Sequence, residues 1–137
     1  KEFKIDKFVN YDNKKNIYKL IFYKKMMKKI NLKKKILLTK LNNLSAKGYT
    51  ISGIGAGAKS NTFLTFYGLD NKGIKFLTDS SKFKKNKYTP ISRIIIKDDK
   101  ELINYKKIAC IILSWNISSL IIDKIKKLNK KIKIIYT

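Results

Sequence analysis

Gly53, Gly55 and Ala58 stand in a G-x-G-x-x-A spacing, with Ala56 and Gly57 between the last two. An apolar run precedes them and a helix-like run follows. That setting points to a turn that cradles a phosphate-bearing ligand. Gly53 is expected to permit the tight turn, Gly55 to let backbone amides approach a phosphate, and Ala58 to let the helix pack closely on the strand. A helix N-terminus adds unpaired N–H groups and the positive end of a dipole. Lys59 adds charge there, and Asn61 and Thr62 add hydrogen-bonding groups. The plain alternative is a tight turn that holds no ligand.

Further candidates fall at the ends of later apolar runs. Asp79 ends the second, where an acid takes a ribose hydroxyl pair or simply caps a turn. Trp115 and Asn116 follow the fourth. The tryptophan covers the core or gives a ligand a flat wall, with the amide beside it. Tyr88, in the loop before Pro90, is a weaker candidate for the same role.

Composition removes several chemistries. The 137 residues include no histidine and one cysteine, Cys110. Histidine acid–base chemistry is excluded, and zinc, which needs several Cys or His ligands, is not expected. A lone cysteine forms no internal disulfide, so a cytoplasmic setting is expected, with Cys110 as a buried small hydrophobe. No catalytic residue and no metal ligand is assigned. No signal peptide is expected. The apolar stretch 108–122 is interrupted by Ser114, Asn116, Ser118 and Ser119 and is too short to span a bilayer.

The net charge is +24, from 33 basic and 9 acidic residues. Such charge favours anionic partners. Arg93 is the sole arginine, however, and lysine, isoleucine and asparagine, all with AT-rich codons, are abundant. Nucleic-acid readers favour arginine, so the excess reads first as compositional drift and only second as a nucleic-acid surface.

The elements that must hold these residues alternate. Residues 1–10 show weak alternation through Phe3, Ile5 and Phe8 and read as a short strand or a frayed start. Asp12 or Asn13 caps a helix from about Lys14. Ile30, Leu37, Leu41 and Leu44 mark one face of one long helix, or of two broken near Asn31, stopped at Gly48. Strands are expected at 49–54, 74–78, 90–96, 108–113 and 131–136. Helices are expected at 59–67, from Asp98 or Asp99 to about Tyr105, and at 118–128 with Leu120, Ile121, Ile125 and Leu128 inward. This order predicts an α/β fold: a Rossmann-like, mostly parallel five-stranded sheet with helices on both faces, after a long N-terminal helical segment. The division is residues 1–47 as helical extension and 48–137 as the α/β domain.

The run Gly53-Ile-Gly-Ala-Gly-Ala-Lys-Ser-Asn-Thr-Phe-Leu64, then Tyr67-Gly68-Leu69, resembles the C-terminal domain of sugar-nucleotide C-methyltransferases. Asp79 matches the family's strand-ending aspartate. Lys84 or Lys85 through Tyr88, Thr89 and Pro90 resembles its K-x-G-x-Y-x-P segment. Leu113-Ser-Trp115-Asn116 resembles its strand-ending tryptophan–asparagine pair. The glycine before Tyr88 is missing, and Ile91-Ser92-Arg93 departs from the family's sequence after the proline. The resemblance covers about residues 47–137.

It implies an enzyme of three parts: a cysteine-rich zinc-binding part, a domain that binds S-adenosylmethionine, and this domain, which helps hold the nucleotide sugar. The first two would be supplied in cis or in trans. This chain alone would then bind substrate without transferring methyl groups, and would bind no cofactor itself. The long helix would link it to the central domain. The competing expectations are a stand-alone dinucleotide-binding module and a non-specific nucleic-acid binder.

Overall fold

A computed structural model describes residues 2–136. Lys1, Thr137 and the Phe3 side chain, the last part of the alternation noted above, lie outside the described residues. The chain forms two compact units, residues 1–37 and 38–137.

The first unit is helical. Helix α1 spans Glu2–Lys14, where the alternation suggested a strand or a frayed start. Ile5, Phe8 and Val9 are also spaced three and four apart, and that helical period prevails. The next helix, α2, starts at Leu20 and runs to Ala46, so the break lies at residues 15–19 and not near Asn31. Asn16 adopts φ 55°, with its N–H on the Asn13 carbonyl and the Ile17 N–H on that of Asp12. That is a Schellman stop with asparagine where glycine is usual. Asp12 and Asn13 therefore end a helix instead of starting one.

In the second unit, α2 ends by the same geometry at Gly48, φ 77°. Leu41 and Leu44 on its last turns are buried. The sheet then builds from β1 (Thr50–Ile54), β2 (Phe76–Thr78), β3 (Ile96–Lys97), β4 (Ile108–Ile112) and β5 (Lys133–Ile135). All pairings are parallel, in the order β3-β2-β1-β4-β5. Helix α3 (Ala58–Tyr67) joins β1 to β2, and α4 (Ser118–Leu128) joins β4 to β5. These connections step outward in opposite directions from the β1–β4 pair, so right-handed crossovers put α3 and α4 on opposite faces.

Strand β4 is buried at every position, as a central parallel strand must be. Ile54, Phe76, Ile108, Cys110 and Ile112 form one core cluster with Leu102 and with Ile125 of α4. Burial pushes the Cys110 thiol up to about 12. A thiol reagent at pH 8 should therefore leave the native protein unlabelled and react only after unfolding; fast labelling of native protein would contradict this packing.

The expected third strand, 90–96, is corrected. Only Ile96 and Lys97 join the sheet. Pro90 has no N–H to donate, and Ile91 and Arg93 take positive φ, 62° and 53°. The segment instead folds back as a hairpin. The Asn86 N–H donates to the Ile96 carbonyl, the Ile96 N–H to that of Lys87, and the Thr89 N–H to that of Ile94. The segment after Asp98 is a short 3-10 helix, Asp99–Asn104, capped by Asp98, whose carboxylate accepts the Lys100 N–H at 2.9 Å.

Candidate functional site

The carboxyl ends of β1, β2 and β4 converge where the sheet order reverses, the position at which open α/β sheets form a crevice. The β1 turn is built differently from its expectation. Gly53 lies inside β1, and a Cβ there would stand 2.7 Å from a Leu77 methyl and 2.9 Å from a Leu113 methyl. Its task is room for those leucines, not the turn. The turn belongs to Gly55, φ 96°, whose missing Cβ makes space for the Ser114 hydroxyl. The Gly55 N–H donates to the Thr78 carbonyl at 2.7 Å, tying β1 to β2.

Helix α3 begins at Ala58, with Gly57 as its N-cap. The Gly57 N–H donates to Ser60 Oγ at 3.3 Å. Ala58 is exposed, which corrects its expected packing role. A first-turn residue one position after the cap points off the helix end; Ser60 and Leu64 are the buried positions. Lys59 is exposed, and its ammonium lies 5.9 Å from the Trp115 ring centre. Asn61 has its Oδ1 buried with no hydrogen-bond partner. The Thr62 hydroxyl donates to the Ala58 carbonyl at 3.3 Å.

Asp79 is the cross-brace of the site. Its Oδ2 accepts the Ala56 N–H at 2.9 Å and Lys84 Nζ at 3.0 Å, and its Oδ1 accepts the Ser81 N–H at 2.9 Å. Burial acts to raise its pKa. The Ala56 and Ser81 N–H groups and the Lys84 ammonium outweigh it and hold the carboxyl below its ordinary value. Three of about four acceptor positions are thus taken, leaving room for one ligand hydroxyl and not a pair. The Ala56 N–H, which a phosphate would use, is likewise already paired.

A cleft of about 300 Å³ opens beside this brace. Gly55, Thr78, Asp79 and Ser114 line it together with Asp99, Ile117, Leu120 and Lys124. Leu120, expected inward, is 70% exposed on the cleft rim. Ile117, Leu120 and Lys124 follow helical spacing and share a face. Lys124 Nζ pairs with Asp99 Oδ2 at 2.6 Å.

Trp115 is 46% exposed and faces elsewhere. With Lys59, Thr62, Phe63, Phe66 and Tyr67 it lines a second, apolar groove of about 280 Å³. Asn116 is exposed beside it, and Tyr88, 60% exposed on the hairpin, lines neither opening. The geometry therefore brings Gly55 and Asp79 into one cleft with Thr78, Ser114, Asp99 and Lys124, four residues the sequence reading did not single out. Lys124 had a signal, its spacing from Ile117 and Leu120. Asp99 did not, being one of two adjacent aspartates equally suited to cap the next turn.

Among the described residues, no group of three or more His, Cys, Asp or Glu could hold a metal ion, and no helix is long and apolar enough to cross a membrane.

Two comparisons with known proteins bear on this arrangement. The chain is 33% identical over 82 residues, 60% of its length, to the C-methyltransferase NovU of Streptomyces niveus. That alignment covers 20% of NovU, so the chain spans only a minor part of such a protein. The family described as the C-methyltransferase C-terminal domain matches residues 1–136, taking in α1 and α2 as well as the sheet. With the Gly55 turn, the Asp79 brace and the β4 terminus at Ser114–Asn116 set around one parallel sheet, the chain belongs to the C-methyltransferase C-terminal domain family.

Proposed function

We propose that this chain is the substrate-holding part of an S-adenosylmethionine-dependent C-methyltransferase, and that what it holds is a nucleotide sugar. The observation that carries the reading is the cleft where the ends of β1, β2 and β4 meet, lined by hydroxyls and carboxylates with lysine beside them. A sugar nucleotide presents neutral hydroxyls and a diphosphate. The first-turn N–H groups of α3, with Lys59, suit the diphosphate. Asp79 has one acceptor position for a hydroxyl. The net charge of +24 would draw an anionic ligand in.

S-adenosylmethionine supplies the methyl group and belongs to another part of the enzyme. The acid that would hold its ribose here, Asp79, already accepts three hydrogen bonds from this chain. No residue of this chain is assigned to the cofactor, and the isolated chain is expected to transfer no methyl groups. In this reading α2 links residues 48–137 to the central domain. The single cysteine, buried, suits a cytoplasmic setting.

Titration of the chain with uridine diphosphate and a sugar nucleotide, followed by NMR, tests the reading. Shifts of Gly55, Asp79 and Ser114 amides at submillimolar ligand are expected. Silence at millimolar concentration would count decisively against it. Preference for NAD would favour a dinucleotide module, and nucleic-acid affinity falling steeply with salt would favour a nucleic-acid binder.

A further inference from the structure

Two buried polar atoms in the cleft wall have no hydrogen-bond partner: Thr78 Oγ1 and Asp99 Oδ1. Thr78 is fully buried, and Asp99 is 8% exposed. Such atoms are rare in folded proteins, and each calls for a reason. The reason is not chain packing, because both residues line an opening large enough for a sugar ring.

We propose that Asp99 and Lys124, with Thr78 of the same cleft wall, form a receptor for a vicinal diol. This deepens, and rests on, the nucleotide-sugar reading. Asp99 Oδ2 is held by Lys124 at 2.6 Å, which leaves Oδ1 to accept one hydroxyl. Lys124 spends one N–H on Asp99 and keeps two donors for the neighbouring hydroxyl. An acceptor and a donor side by side match the two oxygens of a diol, one donating and one accepting. Both residues line the cleft, and both free oxygens are shielded from solvent. Rotation of the Asp99 carboxylate about its last bond, a soft torsion, turns Oδ1 outward. Lys124, 55% exposed at its side chain, can follow.

The diol comes from the nucleoside ribose or from the second sugar, and the ligand series separates them. Wild-type protein is titrated with uridine diphosphate, its 2′,3′-dideoxy analogue and UDP-glucose. If ribose occupies the receptor, the dideoxy compound binds on the order of tenfold more weakly than uridine diphosphate. If the second sugar does, UDP-glucose binds tighter than uridine diphosphate by a similar factor. The paired variant Asp99→Asn with Lys124→Gln, which keeps a neutral hydrogen bond between the two side chains, should erase that difference.

Thr78→Val gives an independent readout. It replaces an unpaired buried hydroxyl with a methyl, so the melting temperature should rise while the diol preference falls. A purely structural threonine would not move the two in opposite directions. Equal binding of all three ligands to wild type overturns the receptor and leaves the nucleotide-sugar reading standing. So does a diol preference that survives in both variants. Binding of none of them at millimolar concentration overturns both.

Discussion

Gly55→Ala should destabilise the protein by about 3 kcal/mol and abolish ligand binding in the cleft. Two costs combine. Forcing an L side chain to φ 96° costs about 1–2 kcal/mol. Driving a methyl into the Ser114 hydroxyl, with the Ser114 nitrogen only 3.3 Å away, adds about 1–3 kcal/mol of overpacking. A fall of roughly 10 °C in Tm is the measurable result. Gly57→Ala is the control. A Cβ there meets nothing within 4 Å, and φ is −92°, so only the poorer N-cap, about 0.5–1 kcal/mol, should be lost. Ser114→Ala added to Gly55→Ala should restore part of the loss by clearing the hydroxyl, while the backbone strain remains. Equal stability of the two alanine variants would show that the turn is not built as described.

The second large effect is expected at Asp79. Asp79→Ala removes the acceptor for the Ala56 and Ser81 N–H groups and the counter-charge of Lys84. Ala56 is buried, so its N–H would be left without water. A loss of about 2–4 kcal/mol follows from one stranded donor and the broken charged hydrogen bonds. The same residue sets an acid dependence. Its folded pKa lies below the unfolded value, so its contribution is complete above about pH 4 and drains away as pH falls through the folded value. Chemical denaturation between pH 6 and pH 2 should show that decline, and Asp79→Asn should flatten it. The slope due to Asp98, whose carboxylate is lowered by the Lys100 N–H, should remain. An unchanged slope in the variant would remove Asp79 from the account.

Much of the fold was legible because it is written in local rules. Gly48 and Gly68 stop helices by the same hydrogen-bond pattern, and each follows a run with helical spacing. The all-apolar run at 108–112 could only be a central strand. The break at residues 15–19 was less legible, because asparagine stands where glycine would have announced the stop. The 90–96 segment misled for a different reason. Ile94, Ile95 and Ile96 have strand composition, but a proline and two left-handed residues upstream turn the chain back before the sheet is reached.

In the site, residue types indicated the right edge of the sheet and assigned some of the work wrongly. Gly53 and Gly55 look alike in a motif. Only the neighbours, two leucine methyls against one and a serine hydroxyl against the other, separate a packing glycine from a turning one. Asp79 was singled out because it ends a strand, and the structure spends most of its capacity on the chain's own amides. Asp99 and Lys124, 25 residues apart, become partners only when the fold sets α4 beside the 3-10 helix.

The hairpin that replaces the expected third strand has a further consequence. Strand β3 is the last strand on its side of the sheet, and a terminal strand offers its free backbone groups to any chain that can add itself there. Here the hairpin's other arm occupies that place: the Ile96 N–H and carbonyl are engaged by Lys87 and Asn86, and Pro90 follows in the same arm with no N–H to offer. The fold carries its own plug against strand-by-strand polymerisation. Its core is rich in isoleucine, and repulsion between exposed lysines is screened away by salt. Protection that is covalently part of the chain does not weaken as ionic strength rises.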